Sequence, residues 1–268
     1  MTAPAAIASI VLCLQGANSS AAEPAPRKHH IGFGLGTSLF RERDELASPL
    51  AYQGLLFGGS LSYEYRGERQ DHWAYLGLGG GTLKAAIAKE AYPPGTDRGS
   101  GALAYANIRY GYHHVVYRLS EGRLDLSAGA VLDMASHDFK PSGASSIIWL
   151  TTYSLDVGVM ARYQPASRHT LVARMFSPFL TYLGRPAWSI LDSPTGNMSV
   201  AQLLSGGQTE VTSLNGYRAV TARFDYEYRF SPRWSGTASY ELTYRNSSIL
   251  EPVHSLQNSV FLGLSVGN

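Results

Sequence analysis

The segment Asp133-Met134-Ala135-Ser136-His137-Asp138 gathers the groups best suited to acid–base or nucleophilic chemistry. A histidine that activates a serine must lie within hydrogen-bond reach of it. In an extended chain, neighbours point to opposite faces. Ser136 and His137 therefore cannot serve as nucleophile and base, and His137 and Asp133 are left as weak catalytic candidates. The same geometry separates His113 from His114, which cannot chelate one ion together, so no metal site is expected. Gly77, Gly79, Gly80 and Gly81 form no phosphate loop, because no helix or Lys-Ser/Thr follows in register. They are expected to relieve crowding or bend a strand. Cys13 is the one cysteine. It lies in a leader-like stretch, which leaves no disulfide or thiolate metal site beyond it, and no cofactor is expected.

The elements that would position these residues are strands. From Val220 to Phe230, Val220, Ala222, Phe224, Tyr226, Tyr228 and Phe230 alternate with Thr221, Arg223, Asp225, Glu227 and Arg229. One face is apolar and the other charged, which is the period of a strand. Trp234 to Arg245 repeats the pattern after the turn Ser231-Pro232-Arg233, giving a hairpin. Similar alternation marks Ile31–Arg41, Tyr52–Arg66, Ala102–Leu119, Arg123–Asp133, Trp149–Gln164 and Leu256–Val266. Trp73–Ile87 is ambiguous because of its glycines, and Thr170–Leu183 is interrupted by Pro178. The total is about ten strands. Val200–Leu204 is the one helical candidate.

Charged residues are 16% of 268, against about 25% in soluble domains. No run reaches the ~20 apolar residues of a membrane helix. No basic run interleaved with aromatics supports nucleic-acid binding. Ala5–Leu14 is apolar, and Ser20 and Ala22 are small residues at cleavage-site spacing, as in a secretory signal peptide over 1–22. Residues 23–30, which include His29-His30, read as a flexible tail, and residues 31–268 as the folded domain. Short connections (Gly67–Asp71, Ser120–Gly122, Pro165–His169, Ser231–Arg233) alternate with longer ones (Glu42–Leu50, Ala88–Ser100, His137–Ser145, Gly184–Ser213, Asn246–His254). Tyr63, Tyr65, Tyr110, Tyr112, Tyr163, Tyr226 and Tyr228 gather at the short-turn ends, like an aromatic girdle.

The leader, the alternating strands and the closing NSVFLGLSVGN make the chain resemble the bacterial outer-membrane β-barrel superfamily. The resemblance implies a closed antiparallel up-and-down transmembrane β-barrel with both termini in the periplasm. Its apolar face meets lipid, and Phe261 and the charges point inward. Glu64, Arg109, Asp156, Arg174, Arg223, Asp225 and Glu241 then form a lumen charge cluster, either a salt-bridged plug or a narrow, porin-like constriction. A hydrolase with an outer-rim site is the second reading. Omptin proteases use acidic pairs and an Asp–His pair there, and Asp133, His137 and Asp138 are the nearest match. A third reading is adhesion or assembly through the Gly184–Ser213 loop, where Arg185, Pro186 and Trp188 form a candidate lid. The implied partners are outer-membrane lipid and lipopolysaccharide, the barrel-assembly machinery and a small solute, with no nucleic acid.

Overall fold

A computed structural model describes residues 28–46, 50–85, 99–119, 123–142, 147–186, 207–250 and 252–267. The leader, Trp188 and the helical candidate Val200–Leu204 lie outside these residues. The described chain forms β1 (His29–Asp44), β2 (Ala51–Arg66), β3 (Gln70–Ala85), β4 (Ser100–Leu119), β5 (Leu124–Pro141), β6 (Ile148–Ala166), β7 (His169–Pro186), β8 (Gly207–Thr212), β9 (Tyr217–Arg229), β10 (Trp234–Ser247) and β11 (Val253–Gly267). All neighbours pair antiparallel. β1 closes on β11, with His30 opposite Gly267, and β6 pairs with β7. The lower part of β7 pairs with β9 and its upper end with β8. β8 and β9 thus share one position in the wall, and the result is a closed barrel of ten staves.

The outward face is the apolar one. Phe33, Leu35, Phe57, Leu132, Val157 and Leu262 are each more than half exposed, while Arg109, Glu241, Arg245 and Ser259 are buried. Burying ions while exposing leucine and phenylalanine is unfavourable in water. It is the expected arrangement when the outside of the wall is lipid.

Pro178, read as an interruption, lies within β7. Pro178 pairs with Asp156 and Leu180 with Leu155, so Phe179 is a bulge residue. The bulge reverses the phase of the strand: Val172, Arg174 and Phe176 face in below it, and Thr181, Leu183 and Arg185 above it. Pro178 also falls between the β9 pairing, which ends at Phe176, and the β8 pairing, which begins at Thr181. A residue without an N–H fits such a gap.

Several strands run longer than their sequence pattern implied, reaching 20 residues in β4, where about 9–11 cross a membrane. Glu42–Asp44, His137–Pro141 and Gly184–Pro186 are strand, not loop. His29 and His30 open β1 instead of ending a tail. His29 stands opposite Tyr65, and buried His30 lies 3.6 Å from Glu227. At the long-connection end the polarity of the wall inverts. Arg41, Gln53, Lys84 and Lys140 face out, and Phe40, Leu56, Leu83, Leu103 and Phe139 face in. These staves continue beyond the apolar belt with their apolar side chains turned inward, as in a soluble barrel, and Glu42, Asp44 and His137 are buried among them.

Glycine makes room for the lumen aromatics. A Cβ on Gly111 would collide with the Trp73 ring, whereas one on Gly236 meets nothing within 4 Å. Gly111→Val is therefore expected to destabilise the barrel by about 1–3 kcal/mol, and Gly236→Ala is expected to leave it unchanged. The urea midpoints of the two variants in detergent check this difference.

Candidate functional site

The described lumen is filled in layers. At the short-turn end, Arg66 of β2 bonds Glu64 at 2.7 Å and reaches Glu227 of β9 at 2.9 Å. Arg162 of β6 meets Asp71 of β3 at 2.9 Å. Arg174 of β7 donates to both Glu64 and Asp225. Arg223 joins Asp225 at 2.9 Å to Glu241 at 3.5 Å. Arg109 of β4 bonds Glu241 at 2.8 Å and Asp133 of β5 at 2.9 Å. The result is one unbroken chain of ion pairs from Glu227 to Asp133.

Aromatic rings back these guanidinium groups. Arg223 lies 4.4 Å from the Tyr75 ring centroid, Arg109 sits between Tyr75 at 5.5 Å and Phe176 at 5.3 Å, and Arg174 is over Trp73 at 5.4 Å. A desolvated cation over a ring gains about 2 kcal/mol. Trp73 Nε1 donates to His113 Nδ1 at 3.2 Å. His113 is therefore a lumen residue and not an interface aromatic, while His114 is exposed on the opposite face. Between Gly32, Gly34, Ser60 and Ser62 and these charges there remains a cavity of about 100 Å³.

Six of the seven predicted cluster residues belong to the ion-pair chain: Glu64, Arg109, Arg174, Arg223, Asp225 and Glu241. Asp156 stands apart and accepts from Ser154. Asp71, expected in the Gly67–Asp71 connection, is instead a buried β3 residue paired with Arg162, and the aromatic layer had no counterpart in the sequence pattern.

Towards the long-connection end apolar clusters join the buried charges, which the expected charged lumen did not include. Phe40, Tyr52, Leu56, Leu83, Leu103, Tyr105 and Phe139 form one cluster. Leu150, Leu183, Tyr217 and Val253 form another. Arg185, expected in a loop, is fully buried in this region. It bonds Asp44 and donates to the Leu250 carbonyl at 3.0 Å. Leu250 holds a left-handed backbone, φ 50°, so Arg185 pins a strained turn. Pro186 ends β7 beside it, opposite Gly207.

His137 is 3% exposed and closed in by Phe40, Glu42 and Arg245. Arg245 Nη1 donates to His137 Nε2 at 2.9 Å, which leaves the ring proton on Nδ1, 3.4 Å from Glu42 Oε2. Glu42 supplies an acidic neighbour, but the nitrogen a general base would use is occupied by a guanidinium. Asp133 is held by Arg109 deeper in the lumen. Ser136 and Asp138 face outward and bond each other at 3.4 Å.

No protein-family model and no curated protein matches the sequence. Among solved structures, the outer-membrane protease OmpT of Escherichia coli matches with a TM-score of 0.54 at 10% identity, over 94% of this chain and 99% of that one. The translocator domain of the autotransporter NalP from Neisseria meningitidis matches with a TM-score of 0.45 at 12% identity, over 98% and 94%. Neisserial surface protein A matches with a TM-score of 0.37 at 11% identity, over 90% and 97%. At such identities the likeness is one of fold. The chain has the closed antiparallel barrel fold of bacterial outer-membrane proteins, without assignment to a particular subfamily.

Proposed function

We propose that this protein is a sealed outer-membrane β-barrel. It is a non-conducting structural scaffold, with its termini in the periplasm and its long connections outside. Lipid and lipopolysaccharide surround it, and the barrel-assembly machinery inserts it. The observation that carries this reading is the filling of the lumen: ion pairs and rings span it from wall to wall, and apolar clusters fill its outer part. A channel that conducts ions needs a continuous wetted path, and an apolar constriction closes it by dewetting. Reconstitution in planar bilayers tests the reading. The folded barrel is expected to give no discrete conductance steps, and regular steps from a heat-modifiable, folded sample would refute the seal.

A sealed lumen leaves partner binding to the outer connections. Gly184–Pro186 and Gly207–Thr212 are wall, which confines the candidate binding segment, with Trp188, to residues 187–206. Deleting 187–206 is expected to abolish adhesion to a surface partner while heat-modifiable gel migration persists. Retained adhesion would exclude this segment. The buried, capped His137 argues against the hydrolase reading.

A further inference from the structure

Lys28, Arg69, Arg123, Arg168 and Arg233 are the residues immediately before β1, β3, β5, β7 and β10. These are the five staves that rise from the short-turn end, so each rising stave is preceded by a basic residue. The five positions are also equivalent in geometry. The backbone carbonyl of each accepts from the short-turn half of the neighbouring descending strand at 2.8–3.0 Å: Lys28 from Arg66, Arg69 from Val115, Arg123 from Gln164, Arg168 from Arg229 and Arg233 from Gly267. All five side chains are exposed. Among the described residues none of them lies in an ion pair, and the one acidic group at this rim beside such a position that is not itself paired is Glu68, since Arg118 takes Asp125 at 3.2 Å. With strands about 4.8 Å apart and tilted, the five cations stand about 12 Å from one another round the mouth.

Directly above this ring lie outward aromatics. His29, His169 and Trp234 each follow a basic residue of the ring. Nδ1 of His29, His72 and His169 is bonded to the hydroxyl of Tyr63, Tyr110 and Tyr226 at 2.9, 2.8 and 2.9 Å. Such a belt marks the membrane–water border, which places the basic ring at headgroup level.

We infer that this ring binds the headgroups of anionic phospholipids in the leaflet at the short-turn end. The inference rests on the membrane reading above. The even placement favours lipid over a docked protein, because a protein would seat on one sector, whereas lipid surrounds the whole circumference. Each exposed cation attracts anionic headgroups by about fivefold in local concentration, an attraction that salt screens.

The test uses the folded protein in nanodiscs of equal phosphatidylglycerol and phosphatidylcholine, with co-ejected lipids counted by native mass spectrometry. Wild type is expected to retain phosphatidylglycerol about fivefold over phosphatidylcholine. K28Q/R69Q/R123Q/R168Q/R233Q is expected to retain both equally, and R69K/R123K/R168K/R233K, which keeps all five charges, is expected to keep the preference. R41Q/K84Q/K140Q, at the opposite rim, controls for charge elsewhere and is expected to retain the wild-type ratio. A five-site variant that keeps the wild-type ratio overturns the inference, as does an equal loss in the control. If the five-site variant fails to fold, R69Q/R168Q/R233Q is read in its place, with a partial loss expected and an unchanged ratio again overturning the inference. A wild-type chain that never enters the bilayer overturns the membrane reading itself, which is a separate result.

Discussion

Arg109→Ala is expected to lower the stability of the folded barrel by about 3–5 kcal/mol. The Arg109 side chain is 1% exposed and donates to Glu241 and Asp133. Removing it leaves Asp133 without its ion pair and leaves Glu241 with the longer ion pair to Arg223 at 3.5 Å and a weak hydrogen bond from Thr243 at 3.4 Å. The cost comes mainly from stranding carboxylates in a desolvated place, because pairing them gains little over an apolar filling of the same shape. R109M/D133L/E241L, which removes all three charges together, is therefore expected to lie much closer to wild type than the single variant. Arg109→Lys is expected to fall between them, since one ammonium cannot reproduce the forked donation to two acceptors. Urea unfolding in detergent, followed by tryptophan fluorescence, measures all three. A loss under about 1 kcal/mol for Arg109→Ala, the value typical of exposed pairs, would mean that water reaches the layer and that the lumen is not dry.

The wall was legible in the sequence because period-two alternation is a local signal. Val220 to Phe230 declares its two faces without reference to any other strand. The partners inside were not legible in the same way. Arg109 and Glu241 are 132 residues apart and meet only through the register of the closed sheet. The list of inward charges could be written from the sequence, but its wiring could not. The long-connection end was misread for a different reason. Around Phe40–Arg41 and Phe139–Lys140 the alternation continues, but its polarity is reversed. A pattern that equates apolar with outward fades near that reversal, at Arg41 in β1 and before His137 in β5, and gives Glu42–Asp44 and His137–Pro141 to connections. Arg185 was misplaced because the Phe179 bulge shifts the phase by one residue before it. Asp133 and His137 looked like acid and base by type. Their partners, Arg109 and Arg245, come from other strands and give them structural work.

Opening the pore is expected to require removing two seals in series. The first is the middle layer, where Arg109 and Arg223 lie over Tyr75. The second is the apolar filling nearer the long connections, with Phe40 of β1, Leu103 of β4 and Phe139 of β5 in one packed cluster. Shortening only the middle layer, as in R109A/R223A, leaves the apolar cluster across the path, and an apolar constriction stays dry and blocks ions. Shortening only the cluster, as in L103A/F139A, leaves the paired guanidinium groups across the lumen. Each double variant is expected to remain silent in planar bilayers, and the quadruple variant R109A/R223A/L103A/F139A is expected to show discrete steps. Each large-to-small change in a packed interior costs about 2–5 kcal/mol, so each sample must first show heat-modifiable migration. Steps from R109A/R223A alone would show that the apolar cluster does not seal, and the barrel would then be a gated channel held shut by its ion pairs. Silence from a folded quadruple variant would show that other lumen groups complete the closure, with the Arg185–Asp44 pair and the cluster around Leu183 next to be removed.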